Sequence, residues 1–291
     1  DAILASNTST IPITELAKGL KHPERFCGIH YFNPVRRMML VEVIRGPQSS
    51  DATIASAVAH VKKLGKYPVV VQDGPGFLVN RLLFPYMNEA LVLLSEGVSM
   101  EAIDRAAKKF GMPMGPIELH DMVGMDTALF AGSVMSKALP HRMVGSPILN
   151  AMVSAGRLGN KSGAGFYSYK NRKGKRTADP EVQALIRPHL KGQSPSMDSE
   201  TLAARMILPM LLEASDVLSA GLVRDAQDVD LGLIYGIGFP PFKGGMMFWA
   251  DRMGAKRILE MLSPFESLGT RFAPTALLKE LAASNGKFYN S

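Results

Sequence analysis

The sequence predicts an α/β segment followed by an all-α region, on three observations. Over residues 1–72, short apolar runs alternate with helix-patterned stretches, which implies a mostly parallel sheet. Beyond Asp73-Gly74-Pro75-Gly76, long stretches carry apolar residues at helical spacing. Part of that helical pattern then repeats. Arg81, Pro85, Glu89 and Gly97 recur as Arg205, Pro209, Glu213 and Gly221, each 124 positions later. Four identities at one spacing read as a duplicated helical domain. The copies are not equivalent in every respect, because Asn80 in the first becomes Ala204 in the second.

Asp1-Ala2-Ile3-Leu4-Ala5 reads as a strand that ends in the cluster Ser6-Asn7-Thr8-Ser9-Thr10. Pro12 suits the first turn of a short helix running to Leu20. Strands are expected at Phe26–Tyr31, Met38–Ile44 and Tyr67–Val71. Asp51 is read as the cap of a helix that Gly65 ends. A chain that opens inside a strand suggests a fragment whose sheet lacks its first part. In the second region, helices are expected over Phe77–Glu96, from Ser99 to Phe110, from Pro116, and from Ser146-Pro147 to near Gly156. Lys161-Ser162-Gly163-Ala164-Gly165-Phe166-Tyr167 reads as a glycine turn entering an extended piece. The expected domains are therefore 1–72, 73–170 and 201–291, with 171–200 as a connector.

The stretch from Phe26 to Glu42 carries the chemistry. His30 lies near the end of one apolar strand, and Glu42 lies inside the next. A carboxylate in an apolar strand is costly to bury unless it is paired, and His30 is the nearest candidate. A carboxylate on one imidazole nitrogen fixes the tautomer and frees the other to take a proton from an alcohol. On these residues alone, a histidine that merely satisfies a core hydrogen bond is the simpler reading.

Composition excludes several classes. No run approaches the roughly 18 apolar residues of a membrane span, and Cys27 as the single cysteine rules out an intramolecular disulfide. The net charge of +7 suits an anionic partner. The basic residues are not interleaved with aromatics in a nucleic-acid motif, and the densest run, residues 170–176, reads as a solvated loop. The 18 methionines fit flexible core filler better than an acyl groove.

Several motifs in order resemble the 3-hydroxyacyl-CoA dehydrogenase family of fatty-acid β-oxidation, over almost the whole chain. They are Ser6-Asn7-Thr8-Ser9-Thr10-Ile11-Pro12-Ile13, His30-Tyr31-Phe32-Asn33-Pro34, and Asp73-x-x-Gly76-Phe77-Leu78-Val79-Asn80-Arg81-x-x-x-Pro85. Gly115-Pro116, the Lys161–Tyr167 motif and Tyr235-Gly236-Ile237-Gly238-Phe239-Pro240-Pro241-Phe242 follow. The resemblance reverses the simpler reading of His30. It implies the C-terminal half of a Rossmann-like NAD-binding domain, then two helical dehydrogenase domains, the second degenerate. It also implies oxidation of (S)-3-hydroxyacyl-CoA to 3-ketoacyl-CoA, with His30 as general base and Glu42 orienting it. Ser9, Asn80 and Tyr235 become substrate contacts, and Asn33 and Lys161 become NAD contacts. The bland alternatives are a helix cap for Ser9, a corner-bonding residue for Asn80, core packing for Tyr235 and a solvated turn for Lys161.

One departure is plain: the chain contains no Gly-x-Gly-x-x-Gly, the motif that lets backbone amides approach a pyrophosphate. The expectation is a chain inactive or nearly so by itself. The second reading is a non-catalytic interaction or dimerisation module that docks a thiolase subunit. Expected partners are an acyl-CoA, a thiolase subunit and a second copy of the chain, with no nucleic acid and no membrane span. The expected location is bacterial cytoplasm, with mitochondrion or peroxisome as alternatives.

Overall fold

The computed structural model describes residues 2–9, 11–169, 177, 179–192 and 196–290. The basic run 170–176 lies outside them. In chain order the elements are β1 (Leu4–Ser6), α1 (Ile13–Ala17), β2 (Phe26–Tyr31), β3 (Leu40–Arg45), α2 (Asp51–Lys63) and β4 (Tyr67–Gln72). Helices follow: α3 (Val79–Ser95), α4 (Met100–Phe110), α5 (Pro116–Val123), α6 (Met125–Ala138), α7 (Pro147–Ser154), α8 (Pro180–Ile186) and α9 (Ser199–Ser219). The last are α10 (Ala226–Ile237), α11 (Met246–Met253), α12 (Ala255–Leu262) and α13 (Ala276–Ser284). Two compact units emerge: residues 1–83, 211–267 and 273–291 form one, and residues 84–210 with 268–272 form the other.

In the first unit the four strands lie in the order β1-β2-β3-β4. The sheet is mixed rather than mostly parallel. β1–β2 and β3–β4 are parallel, but β2–β3 is antiparallel, with His30 opposite Glu42. The reason is chain length: parallel neighbours need a crossover of about a dozen residues or more, and only residues 32–39 join β2 to β3. A cis Asn33–Pro34 bond turns the chain there. Lys66 Nζ donates to the Val35 and Met38 carbonyls at 2.6 and 2.7 Å, tying that turn to the start of β4.

Strand alternation divides the sheet's residues between two faces. Cys27, Val41 and Val43 pack with Ile54, Ala57 and Val61 of α2. Gly28, His30 and Glu42 therefore point to the opposite face. There α10 lies against β3 and β4, and the approach is so close that a Cβ on Gly236 would fall 2.9 Å from Leu40 and Val79. Two caps differ from expectation. Ser50, not Asp51, caps α2 by accepting from Thr53 N, and α6 begins at Gly124 with no side-chain cap, which left it without a start signal. Helix α8 lies in the stretch read as a connector and buries Val182 and Ile186.

In the second unit, Asp121 of α5 clasps the glycine turn. Its carboxylate accepts from Phe166 N at 2.7 Å, Tyr167 N at 2.9 Å and the Tyr169 hydroxyl at 3.0 Å. Gly165 is required there, because a Cβ would lie 2.0 Å from Asp121 Oδ1.

The duplication is visible in paired interactions. Arg81 Nε donates to Glu213 Oε1 at 2.6 Å, and Arg205 Nε donates to Glu89 Oε1 at 2.7 Å. Each arginine thus pairs with the glutamate of the other copy, the reciprocal pattern of a self-complementary contact. Asp104 accepts from Ile117 N and the Tyr167 hydroxyl. Its counterpart Asp230 accepts from Met247 N, Phe248 N and the Tyr289 hydroxyl. Glu89 is also bound by Arg271 Nε at 2.7 Å, so one buried carboxylate holds two guanidiniums.

Two outcomes follow. Glu89→Ala strands the buried Arg271 and leaves Arg205 only its pair with Glu96, and urea unfolding should show a loss of about 3–5 kcal/mol. Burial pushes the Asp121 carboxyl up to about 6, against the hydrogen bonds it accepts. The unfolded carboxyl ionises first, so this group's contribution is fully present below about 4 and lost as pH rises through about 6. The loss should be on the order of 2–4 kcal/mol, and Asp121→Asn should flatten that slope of stability against pH.

Candidate active site

The site is built around Glu42, which is fully buried. Its Oε1 accepts from Leu78 N at 3.1 Å and Val79 N at 2.8 Å, the amides that open α3. Its Oε2 meets His30 Nδ1 at 2.6 Å. A helix N-terminus favours a carboxylate, since its first amides have no partner within the helix. The acceptor-only carboxylate requires the proton on Nδ1, which leaves the Nε2 lone pair free to accept. Ser9 Oγ stands 3.0 Å from that Nε2 and donates to it. His30 is 3 % exposed, its ring packed against Phe32 at 4.6 Å and Phe77 at 5.7 Å between centroids. Phe77 has φ +51°, an unusual conformation for a bulky residue. It turns the chain so that the next two amides meet Glu42.

The structure brings Ser9, His30 and Glu42 into one chain of hydrogen bonds. Asn80, in the first turn of α3, directs Nδ2 at the Ser9 carbonyl at 3.4 Å. Ser9 does not cap α1: the capping position is Pro12, and Thr8 Oγ1 accepts from Ile11 N instead. Asn33 is exposed on the turn after β2. Tyr235 of α10 stacks on Tyr67, with ring centroids 4.6 Å apart. Lys161 belongs to the second unit, where its ammonium is held by both Asp126 oxygens at 2.5 and 2.7 Å.

Two residues with positioning roles escaped the sequence reading. Asp73 accepts from Ile13 N at 2.9 Å and from Thr14 N and Oγ1 at 2.7 and 2.5 Å, anchoring the helix that follows the Ser9 loop. Asn7 Oδ1 accepts from Tyr31 N at 3.0 Å and ties the same loop to β2. Both sit in motifs visible in the sequence, but their partners are about 60 and 24 residues away.

A Rossmann-like sheet with a buried acid-oriented histidine at one face, joined to a helical region, is the architecture of a nucleotide-linked dehydrogenase. The comparisons agree. The model of the 3-hydroxyacyl-CoA dehydrogenase NAD binding domain matches residues 1–74, and that of the C-terminal domain matches residues 76–169. The chain belongs to the 3-hydroxyacyl-CoA dehydrogenase family. It is 46 % identical over 294 residues to the fatty acid oxidation complex subunit alpha of Pseudomonas aeruginosa, covering 99 % of this chain and 41 % of that relative. The corresponding subunit of Ectopseudomonas oleovorans is also 46 % identical, over 295 residues, with 100 % and 41 % covered. The chain thus spans about two fifths of the length of these curated relatives. Among solved structures, 3-hydroxybutyryl-CoA dehydrogenase from Escherichia coli K12 superposes with TM-score 0.80 at 26 % identity, covering 97 % of this chain and 75 % of that one. The dehydrogenase part of multifunctional enzyme 1 from C. elegans gives 0.66 at 30 % identity, with 96 % and 64 % covered.

The residues present fit NAD only in part. In the first unit, the amides opening α1 are taken by Asp73, those opening α3 by Glu42, and one opening α2 by Ser50. These helix starts cannot cradle a pyrophosphate without losing their own caps. Glu42→Gln supplies an amide where Nδ1–H now finds an acceptor, so the imidazole should switch tautomer and present Nε2–H. Nitrogen-15 NMR of His30 should show Nε2 changing from an acceptor to a protonated nitrogen, at a stability cost of about 1–3 kcal/mol.

Proposed function

We propose that this chain carries the proton-transfer machinery for NAD-dependent oxidation of (S)-3-hydroxyacyl-CoA to 3-ketoacyl-CoA. The observation that carries the reading is the Ser9–His30–Glu42 relay, in which Nε2 is left as an acceptor beside a hydroxyl. NAD, when bound, accepts the hydride released from C3. His30 Nε2 takes the proton of the 3-hydroxyl, which stands where Ser9 Oγ now donates. Glu42 holds the ring in the required tautomer, and its charge faces the positive charge that the ring acquires. Ser9 Oγ then hydrogen-bonds the reacting oxygen.

Asn80, the residue after the Val79 amide that Glu42 binds and beside the Ser9 carbonyl, is assigned to the substrate. Tyr235 is a weaker substrate contact, since its face is engaged by Tyr67. The exposed Asn33 amide is assigned to NAD. Lys161 is retained as a cofactor contact whose charge Asp126 shares. The domain limits 1–72, 73–170 and 201–291 complete the reading.

The curated relatives are subunits of a fatty acid oxidation complex. We carry to this chain a complex partner, a thiolase subunit, and a cytoplasmic setting. No helix among the described residues is long and apolar enough to cross a membrane. Leu4 of the edge strand β1 is 57 % exposed and Ile3 just before it 40 %, which supports self-association.

The test is NADH oxidation with acetoacetyl-CoA, on this chain and on a longer version that includes a glycine-rich dinucleotide unit. The longer version should turn over, this chain should be slow or inactive, and His30→Ala should lower kcat by about 10²–10⁴-fold. Absence of NADH oxidation by both would leave the duplicated helices as a docking scaffold.

A further inference from the structure

The second unit contains a cavity of about 190 Å³ that the reaction above does not use. Met87 and Leu91 of α3, Leu129 of α6 and Leu149 of α7 supply apolar walls. Its rim is formed by the exposed Ser133, Gly145 and Asn150, so it opens to solvent. Two polar side chains that line it each have an atom without a protein partner among the described residues. Ser146 Oγ is buried and makes no hydrogen bond. His120 is 2 % exposed; its Nδ1–H donates to the Pro116 carbonyl at 2.7 Å, which leaves Nε2 without a partner among the described residues. Asn88, by contrast, is satisfied by the Val144 backbone on both sides of its amide.

Ser146 Oγ, buried without a hydrogen bond, and His120, whose Nε2 has no partner among the described residues, both line this one space, and polar groups so placed are costly unless something completes them. We propose that this cavity binds the uncharged, hydroxyl-bearing end of a short aliphatic chain. The ligand hydroxyl donates to His120 Nε2 and accepts from Ser146 Oγ, while its carbon chain lies against Met87, Leu91, Leu129 and Leu149. Size agrees: a 150 Å³ apolar cavity holds benzene, so this one admits a chain of about six carbons. Charge agrees too. No lysine or arginine lines the cavity, so a carboxylate or phosphate would be desolvated without a cation. Burial holds the imidazole neutral, down at about 4, so it remains an acceptor through the neutral range. The inference does not rest on the dehydrogenase reading, because the whole cavity lies within residues of the second unit.

The test uses the full chain with carbon-13-labelled methionine methyls and 1-hexanol as the probe. Saturable shifts of the Met87 and Met143 signals are expected with 1-hexanol and not with hexanoate. Gly132 lines the cavity, and a Cβ there meets only Phe84 at 3.9 Å, so Gly132→Leu should fill the space and abolish the shifts. Ser146→Ala, which adds no bulk, should weaken hexanol about two- to twelve-fold, as for one lost hydrogen bond. Absence of shifts at saturating hexanol would mean that only water completes these groups, and would overturn the proposal. Equal shifts with hexanoate, or shifts that persist in folded Gly132→Leu, would overturn it as well.

Discussion

Burial of the Glu42 carboxylate is the constraint on which the candidate site in the first unit depends. A charge in the centre of a sheet persists only if its lone pairs are filled. Glu42 fills them from three directions: two amides at the start of α3 and one imidazole from β2. One side chain thereby fixes the first amides of α3 against the sheet, the turn at Phe77 and the tautomer of His30. Ser9 completes the arrangement from a loop that Asn7 and Asp73 hold at its two ends. The Ser9–His30–Glu42 chain involves few residues, while those that place them form a larger network of carboxylates on backbone amides.

The same device recurs through the molecule. Asp73 at α1, Asp121 at the glycine turn and Asp230 at α11 each collect two amides at a chain corner, and Asp104 at α5 takes one amide and the Tyr167 hydroxyl. Backbone amides at helix starts have no partner within the helix, and a nearby acid satisfies two at once. This habit explains the glycines at these corners. At Gly115 and Gly245, a Cβ would come within 2.1 and 2.2 Å of the Asp104 and Asp230 carboxyl groups. It also explains why the described part of the nucleotide-binding unit is a poor pyrophosphate cradle, since α1 and α3 already hold carboxylates of the protein's own and α2 is capped by the Ser50 hydroxyl.

The duplicated helices add a second constraint. Exchange of partners between Arg81–Glu213 and Arg205–Glu89 means that neither copy satisfies its own buried charge. A self-complementary contact of this kind ordinarily joins two chains; here both members belong to one chain, and the second copy has lost Asn80, replaced by Ala204. The second copy keeps the pairing residues and not the asparagine that reaches the Ser9 carbonyl.

Much of this was legible in order and type. Periodicity marked β2, the Ser99 cap of α4 and the proline starts of α5 and α7, because those signals are local and involve neighbours within four residues. Pairing of His30 with Glu42 followed from the cost of a carboxylate in an apolar strand, and the repeat followed from spacing alone. The antiparallel β2–β3 pairing was within reach of the sequence through its short connection, but strand alternation by itself carries no direction. Only the tertiary structure decided that Ser9 faces His30 rather than capping a helix, that Asp73 anchors α1 across 60 residues, and that Lys161 is engaged by Asp126. These depend on contacts between segments far apart in the chain. Side-chain type announces the capacity to hydrogen-bond, whereas the fold determines which partner stands within reach.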